Sequence, residues 1–298
     1  MKILPTFARQ GLIAAGRSFF APHAVSRREE LPQDTSGISL HMVVGHEMLP
    51  MGMLALRSFE FHTRRRWSPW IHDDGTFTSA DEEALSRYFP DSNLVWRSRA
   101  DEEVPEGLEQ FPSCREHRLR HHWFLKVFDT RHYAPGPRYI LLDSDIVFFR
   151  RPGAVLDWVD GGSDEMWVME DDREKYSHPR EEIASALGVA MLERANSGLD
   201  LVPKAAADLG LADRFLAACA GSARQYAFLE QTIFGLWVSA WQRGGLLSRE
   251  EYEISWNTFR GPRAVCRHYI GPAKNDALFV EGAPVFWWQQ LRGHPHRP

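Results

Sequence analysis

The run Arg138-Tyr-Ile-Leu-Leu-Asp-Ser-Asp-Ile-Val-Phe-Phe149 constrains the fold of this chain more than any other segment. Apolar residues lead into Asp143-Ser144-Asp145, and four more follow. Short apolar runs rich in Ile, Val, Leu, Tyr and Phe read as buried strands. Two carboxylates at the end of such a strand are costly unless a positive charge lies between them. A hard divalent cation, Mn²⁺ or Mg²⁺, meets that need because it takes oxygen ligands. Alternation along an extended chain puts Asp143 and Asp145 on one face, within reach of a single ion that can anchor a diphosphate. A pair of solvated turn carboxylates is the plainer alternative, and the apolar flanks weigh against it.

Around this strand the pattern alternates between strand and helix. Ile38 to Val44 reads as a first strand ended by Gly45-His46-Glu47, and Met48 to His62 as a helix. Trp67 to His72 is a second strand, ending in Asp73-Asp74-Gly75. A helix then starts with Ser79 as N-cap and Glu82 three residues on. Asn93 to Trp96 is a short strand, Arg99 to Pro112 a polar loop, and Ser113 to Thr130 a helix. In the second half, Glu165 to Glu170 is a strand leading to Asp171-Asp172, and Ala195 to Gly198 a turn feeding a strand. Pro203 to Ala220 and Tyr226 to Ala240 are helices. Glu253 to Asn257 and Ala264 to Tyr269 are further strands.

This order predicts an α/β fold: a mostly parallel central sheet with helices on both faces, plus a smaller mixed C-terminal portion. In open α/β sheets ligands bind beyond the carboxyl ends of strands. Gly45, Asp74 and the Asp143–Asp145 pair all fall at such ends. Residues 37–290 read as one catalytic domain, 1–36 as a basic, partly apolar arm and 291–298 as a flexible tail.

A formal net charge of −5 excludes a broad nucleic-acid surface. Cys114, Cys219 and Cys266 are far apart, with neither zinc-site nor disulfide spacing, and fit reduced thiols in a cytoplasmic protein. No run approaches the roughly 18–20 apolar residues that span a bilayer. Arg9 and Arg17 interrupt any signal-peptide core. The arm reads first as a helix packed on the domain. Peripheral membrane contact through residues 1–30 is a second reading.

Two aspartates need further metal ligands. Cys266-Arg-His-Tyr-Ile-Gly-Pro-Ala-Lys274 offers His268 from a strand, Gly271 for close backbone approach and Lys274 as a point charge for a phosphate oxygen. With these residues the chain resembles the nucleotide-sugar glycosyltransferases of the GT-A (Rossmann-like) fold. It is most similar in layout to family eight, the glycogenin and bacterial galactosyltransferase group. The Asp-x-Asp is Asp143-Ser144-Asp145, and the lysine before that strand is Lys126. The Asn-Ser-Gly is Asn196-Ser197-Gly198. The Asp-Gln pair appears as Glu230-Gln231, a departure at the acidic position. The His-x-x-Gly-x-x-Lys is His268, Gly271 and Lys274.

The resemblance implies Mn²⁺ (or Mg²⁺) held by Asp143, Asp145 and His268 against the donor diphosphate. It implies donor contacts from Lys126, Ser144, Gly45, Asn196, Gly271 and Lys274, and places Glu230 and Gln231 beside the transferred sugar. Asp74 resembles a base-recognising aspartate of the inverting family-two enzymes, with a tight turn after a strand as its alternative. The implied reaction moves a sugar from a UDP-sugar to a carbohydrate, lipid-linked glycan, small-molecule or protein acceptor, with retention. A haloacid-dehalogenase-like phosphatase using Asp143 and Asp145 is a rival, since Val147 also fits that pattern. It leaves His268, Gly271 and Lys274 unexplained. A module that binds nucleotide or glycan without turnover is the other. His117 and His121, on a basic helix, read as a solvated face.

Overall fold

The computed structural model describes residues 6–27, 29–223, 226–255, 263–271 and 276–293. The described strands are β1 (Ser39–Val44), β2 (Trp70–Asp73), β3 (Asn93–Val95), β4 (Arg138–Leu142), β5 (Ile146–Phe148), β6 (Met166–Glu170), β7 (Ala195–Pro203), β8 (Gly244–Leu246), β9 (Tyr252–Ser255) and β10 (Cys266–Tyr269). Seven form one sheet in the order β3-β2-β1-β4-β7-β6-β8. The first four of that order run parallel, and β7 runs antiparallel to both its neighbours. A second sheet, β5-β10-β9, forms the smaller mixed portion.

Central strands of such a sheet are covered on both faces, which is why β4 reads as a nearly continuous apolar run; the two polar residues of β1, Ser39 and His41, are buried and hydrogen-bonded to each other at 2.9 Å. Alternation divides β4 between two cores. Ile140 and Leu142 join Leu40, Met42 and Leu199 under the helix Leu49–Thr63. Tyr139 and Leu141 join Phe128, Val168 and Trp237 under the helices Leu125–Tyr133 and Leu229–Trp241. Each fully buried Leu or Phe contributes about 1.5–3 kcal/mol. The helix Ala21–Ser26 lies against the helices Leu49–Thr63 and Ala283–Arg292, and the helix Thr6–Ala15 against the segment Leu278–Gly282. Arg57 Nε donates to Val25 O at 3.1 Å and Gln290 Nε2 to Ala24 O at 3.1 Å, fastening that arm.

Several boundaries differ from the sequence reading. The single strand predicted over Tyr139–Phe149 is two strands in two sheets, and the acidic pair occupies the turn between them. Turn geometry, not strand alternation, makes its carboxylates converge. Arg99 to Pro112 is no loop, because the helix Arg97–Gly107 crosses it despite Pro105. Ion pairs Arg97–Asp101 (2.5 Å) and Arg99–Glu103 (2.7 Å) at i,i+4 support that helix, and Ala100 and Val104 are buried beneath it. Ser113 to Thr130 is broken: Pro112–Arg120 ends at an extended His121 (φ −138°, ψ 123°), so His117 and His121 do not share a helix. The N-cap at the fourth helix in the chain, Ser79–Tyr88, is Thr78, in a reciprocal capping box with Asp81. Asn196-Ser197-Gly198 lies inside β7, where its register with β6 jumps. Predicted strand residues Trp256 and Asn257 lie outside the described residues, as do residues 294–298 of the expected tail; its first residues end the helix Ala283–Arg292.

Candidate active site

The turn at Asp143-Ser144-Asp145 is where the two sheets meet. Asp143 N–H donates to Gly198 O of β7 at 2.8 Å, tying one side to the central sheet. Tyr269 N–H donates to Asp145 O at 2.9 Å, tying the other side to β10. In β10, His268 pairs opposite Ile146, one residue past Asp145. The topology therefore delivers an imidazole to the acidic turn from a strand more than a hundred residues away in sequence.

Ligand atoms of Asp143, Asp145 and His268 lie within 4.8 Å of one another. His268 Nε2 is 3.0 Å from Asp145 Oδ1 and 3.6 Å from Asp143 Oδ2. The tautomer follows from Asn196. Its Nδ2 donates to Asp171 Oδ2 (3.1 Å) and Gln231 Oε1 (3.0 Å), and its Oδ1 accepts from Gly198 N–H (3.0 Å). With the amide so oriented, Oδ1 accepts from His268 Nδ1–H at 3.1 Å. In the neutral imidazole Nε2 then presents a lone pair to two carboxylates. Three acceptors facing each other in a mostly buried turn repel unless a cation lies between them. The donor set, two carboxylates and an imidazole, suits Mn²⁺ or Mg²⁺.

A cavity of about 280 Å³ opens over this cluster, with Lys126, Glu230, Phe228 and Gly271 in its lining. Lys126 Nζ is 2.8 Å from Asp143 Oδ1, 3.3 Å from Ser197 Oγ and 3.3 Å from Glu230 Oε1. Burial pulls the lysine pKa down, but Asp143, Glu230 and Asp200 outweigh it and hold the ammonium charged well above the usual range. Burial raises the Glu230 carboxyl; Lys126 opposes that shift and Asp143 adds to it. Asp200 lies in β7 below, fully buried, with no hydrogen-bond partner on either oxygen, and burial drives its pKa far up. Gln231 is held at both ends, accepting from Asn196 and donating to Lys175 O at 2.8 Å.

The other sequence-predicted residues divide. Gly271 lines the cavity with φ +56°, a conformation suited to glycine. Ser144 faces Gly52 of the helix Leu49–Thr63 and is absent from the cavity lining. Gly45 and Asp74 sit at the same sheet edge, outside that lining; a Cβ at Gly45 would stand 2.3 Å from Asp74 Oδ2. Asp73 holds the turn, accepting from the N–H groups of Gly75, Thr76 and Phe77 at 2.8–3.0 Å. Lys274 lies outside the described residues. Sequence reasoning gave Asp171 a place only in the phosphatase reading, where Asp171-Asp172 mimics a late acidic motif, and none to Lys175 or Asp200. Lys175 Nζ is 2.5 Å from Asp171 Oδ1. The one available signal was the Asp171-Asp172 pair after a strand.

Gly198 has a steric reason to be glycine. A Cβ there would lie 2.3 Å from His268 Nδ1 and 2.6 Å from its Cε1. Gly198→Ala is expected to push the imidazole off Asn196 and weaken metal-dependent nucleotide binding by about tenfold or more. Calorimetric titration checks this; unchanged affinity means the ring has room to move.

No family model matches the sequence, and no curated protein matches it by sequence. Solved structures do match. Mouse xyloside xylosyltransferase 1, in its apo form, superposes with a TM-score of 0.55 at 13% identity, covering 80% of this chain and 98% of that one. The galactosyltransferase LgtC, in complex with donor and acceptor sugar analogues, gives 0.54 at 14% identity, with 88% and 98% covered. The bifunctional glycosyltransferase WbbM gives 0.54 at 14% identity, covering 86% of this chain but 50% of the longer protein. The chain has the GT-A fold of these glycosyltransferases, with an Asp-Asp-His cluster at the carboxyl edge of its central sheet.

Proposed function

We propose that this protein is a metal-dependent glycosyltransferase that moves a sugar from a nucleotide diphosphate donor, a UDP-sugar in the favoured case, to an acceptor. The observation that carries the reading is the Asp143–Asp145–His268 cluster, whose imidazole is turned by Asn196 so that its lone pair faces both carboxylates. The fold likeness supports it. Mn²⁺ or Mg²⁺ bound there would supply Lewis-acid neutralisation of the departing diphosphate.

The chain's own residues do the rest. Lys126 sets a fixed positive charge at the floor of the cavity, in a buried site where it acts more strongly than in water. Glu230 faces the same cavity, where a carboxylate stabilises an oxocarbenium-like carbon. Gln231 and Asn196 position His268. Asp74, Gly45, Ser144, Gly271 and Lys274 are assigned to the donor by resemblance, as is retention. The phosphatase reading gives no role to His268, although the fold brings its Nε2 to 3.0 Å from Asp145 Oδ1. A module that binds without turnover keeps all the same contacts and is separated only by assay.

Titration of UDP, with GDP as comparison, with and without Mn²⁺, tests the reading. Binding of UDP that requires the metal is the expected result, followed by slow hydrolysis within a panel of UDP-sugars. Absence of nucleotide binding under every condition would sink it. Metal-dependent binding with no hydrolysis or transfer favours the binding module.

A further inference from the structure

We propose that the face made by the N-terminal helices and the helix Ala283–Arg292 docks on an anionic lipid surface. Four of the six large apolar side chains exposed among the described residues lie on these elements: Leu12 (44%), Phe19 (44%), Trp288 (50%) and Leu291 (44%). Pro284, Trp287, Trp288 and Leu291 follow the i, i+3, i+4, i+7 spacing of one helix face. Trp287 meets Phe19 and Phe20 edge-on at 5.8 and 5.3 Å, so the stripe continues onto the N-terminal helices.

The N-terminal part of this face is basic. From Thr6 to Arg27 there is no Asp or Glu, while Arg9, Arg17 and Arg27 are exposed. Arg292 lies over the Trp288 ring at 4.7 Å and Arg17 over Phe279 at 4.9 Å. Asp276 pairs with Arg9, and Glu281 is fully buried against Arg267. A basic, aromatic face has thus formed on a chain whose net charge is −5. Aromatic rings at headgroup depth with arginines reaching past them match an anionic bilayer surface. A two-fold contact between copies would set these arginines against each other. Among the described residues no helix is long and apolar enough to cross a membrane.

Arg17 and Phe279 also line an open recess of about 670 Å³ with His46, Glu47, Met48, Met53 and Asp81, at the carboxyl end of β1. Docking through this face therefore sets the carboxyl edge of the central sheet beside the lipid. The proposal concerns a surface outside the metal cluster and stands whether or not the chain transfers sugar.

The test is co-sedimentation of the full chain with vesicles of phosphatidylcholine alone or with about a third phosphatidylglycerol. Wild type is expected to bind the anionic vesicles, less so as salt rises, and to bind neutral vesicles weakly. Trp288→Ser with Leu291→Ser, and separately Arg17→Glu with Arg292→Glu, are each expected to lower partitioning by about tenfold or more. Metal-dependent UDP binding, measured on the same preparations, should not change. Failure of wild type to bind, equal binding to neutral and anionic vesicles, or full binding by both variants would overturn the proposal. So would concentration-dependent self-association that Trp288→Ser abolishes, since the stripe would then join two copies.

Discussion

Asp145→Ala is expected to lower metal-dependent UDP affinity by at least about a hundredfold while leaving the chain folded. The carboxylate is one of three ligand groups and the one nearest His268 Nε2, at 3.0 Å. Its removal leaves a single carboxylate and an imidazole, too few to hold a hard cation tightly. The backbone survives the change, because the tie from Tyr269 N–H runs to the Asp145 carbonyl rather than to its side chain. Thermal melts separate the two effects. Without metal, the variant sheds a repulsion between acceptors, so its melting temperature should equal or exceed that of wild type. With metal, wild type should gain stability by mass action and the variant should not. Equal metal-induced stabilisation of both would place the ion elsewhere, and the proposed function would lose its centre.

The site was legible in the sequence where chemistry opposed its surroundings. Asp143 and Asp145 stood out because carboxylates interrupt an apolar run, and His268 because Gly271 and Lys274 follow it at short spacing. What joins them was hidden. Both halves of 138–149 are apolar, so nothing in the pattern shows the chain leaving one sheet at Leu142 and entering another at Ile146. Asn196-Ser197-Gly198 has turn composition, yet it lies within β7, where the amide orients an imidazole and the glycine makes room for it. Arg99 to Pro112 reads as a loop because it is polar and contains proline; the support of the helix Arg97–Gly107 comes from pairs four residues apart and from a few residues packed beneath. Asp200 was invisible for a related reason. In a strand buried on both faces, alternation does not say which side chain is polar, and only the assembled sheet shows this carboxyl beneath Lys126 and Glu230.

That buried acidic floor makes Lys126 the second residue whose replacement should be severe. Lys126→Met keeps the length and apolar stem but removes the charge that faces Asp143 and Glu230. Turnover of a UDP-sugar is expected to fall about 10²–10³-fold, as when a buried charge stabiliser is lost from an active site. Metal-dependent UDP affinity should change much less, because the three metal ligands remain and Asp143 is released from its ion pair. A structural defect alone would lower both together, so the split between turnover and affinity is the diagnostic. Stability carries a second signature. Burial already raises the folded-state pKa of Glu230 and Asp200, and Lys126 opposes both shifts. Without the lysine these carboxyls bind protons still more tightly in the folded chain than in the unfolded one. A raised carboxyl pKa gives stability that grows as pH falls toward the unfolded value, about 4. Lys126→Met should therefore melt further below wild type at about pH 8 than at about pH 5. The wild-type lysine adds no slope there, since its own pKa lies far above the window in both states. A pH-independent difference in melting temperature, with turnover intact, would show that the ammonium is a surface charge with no hold on the acidic cluster.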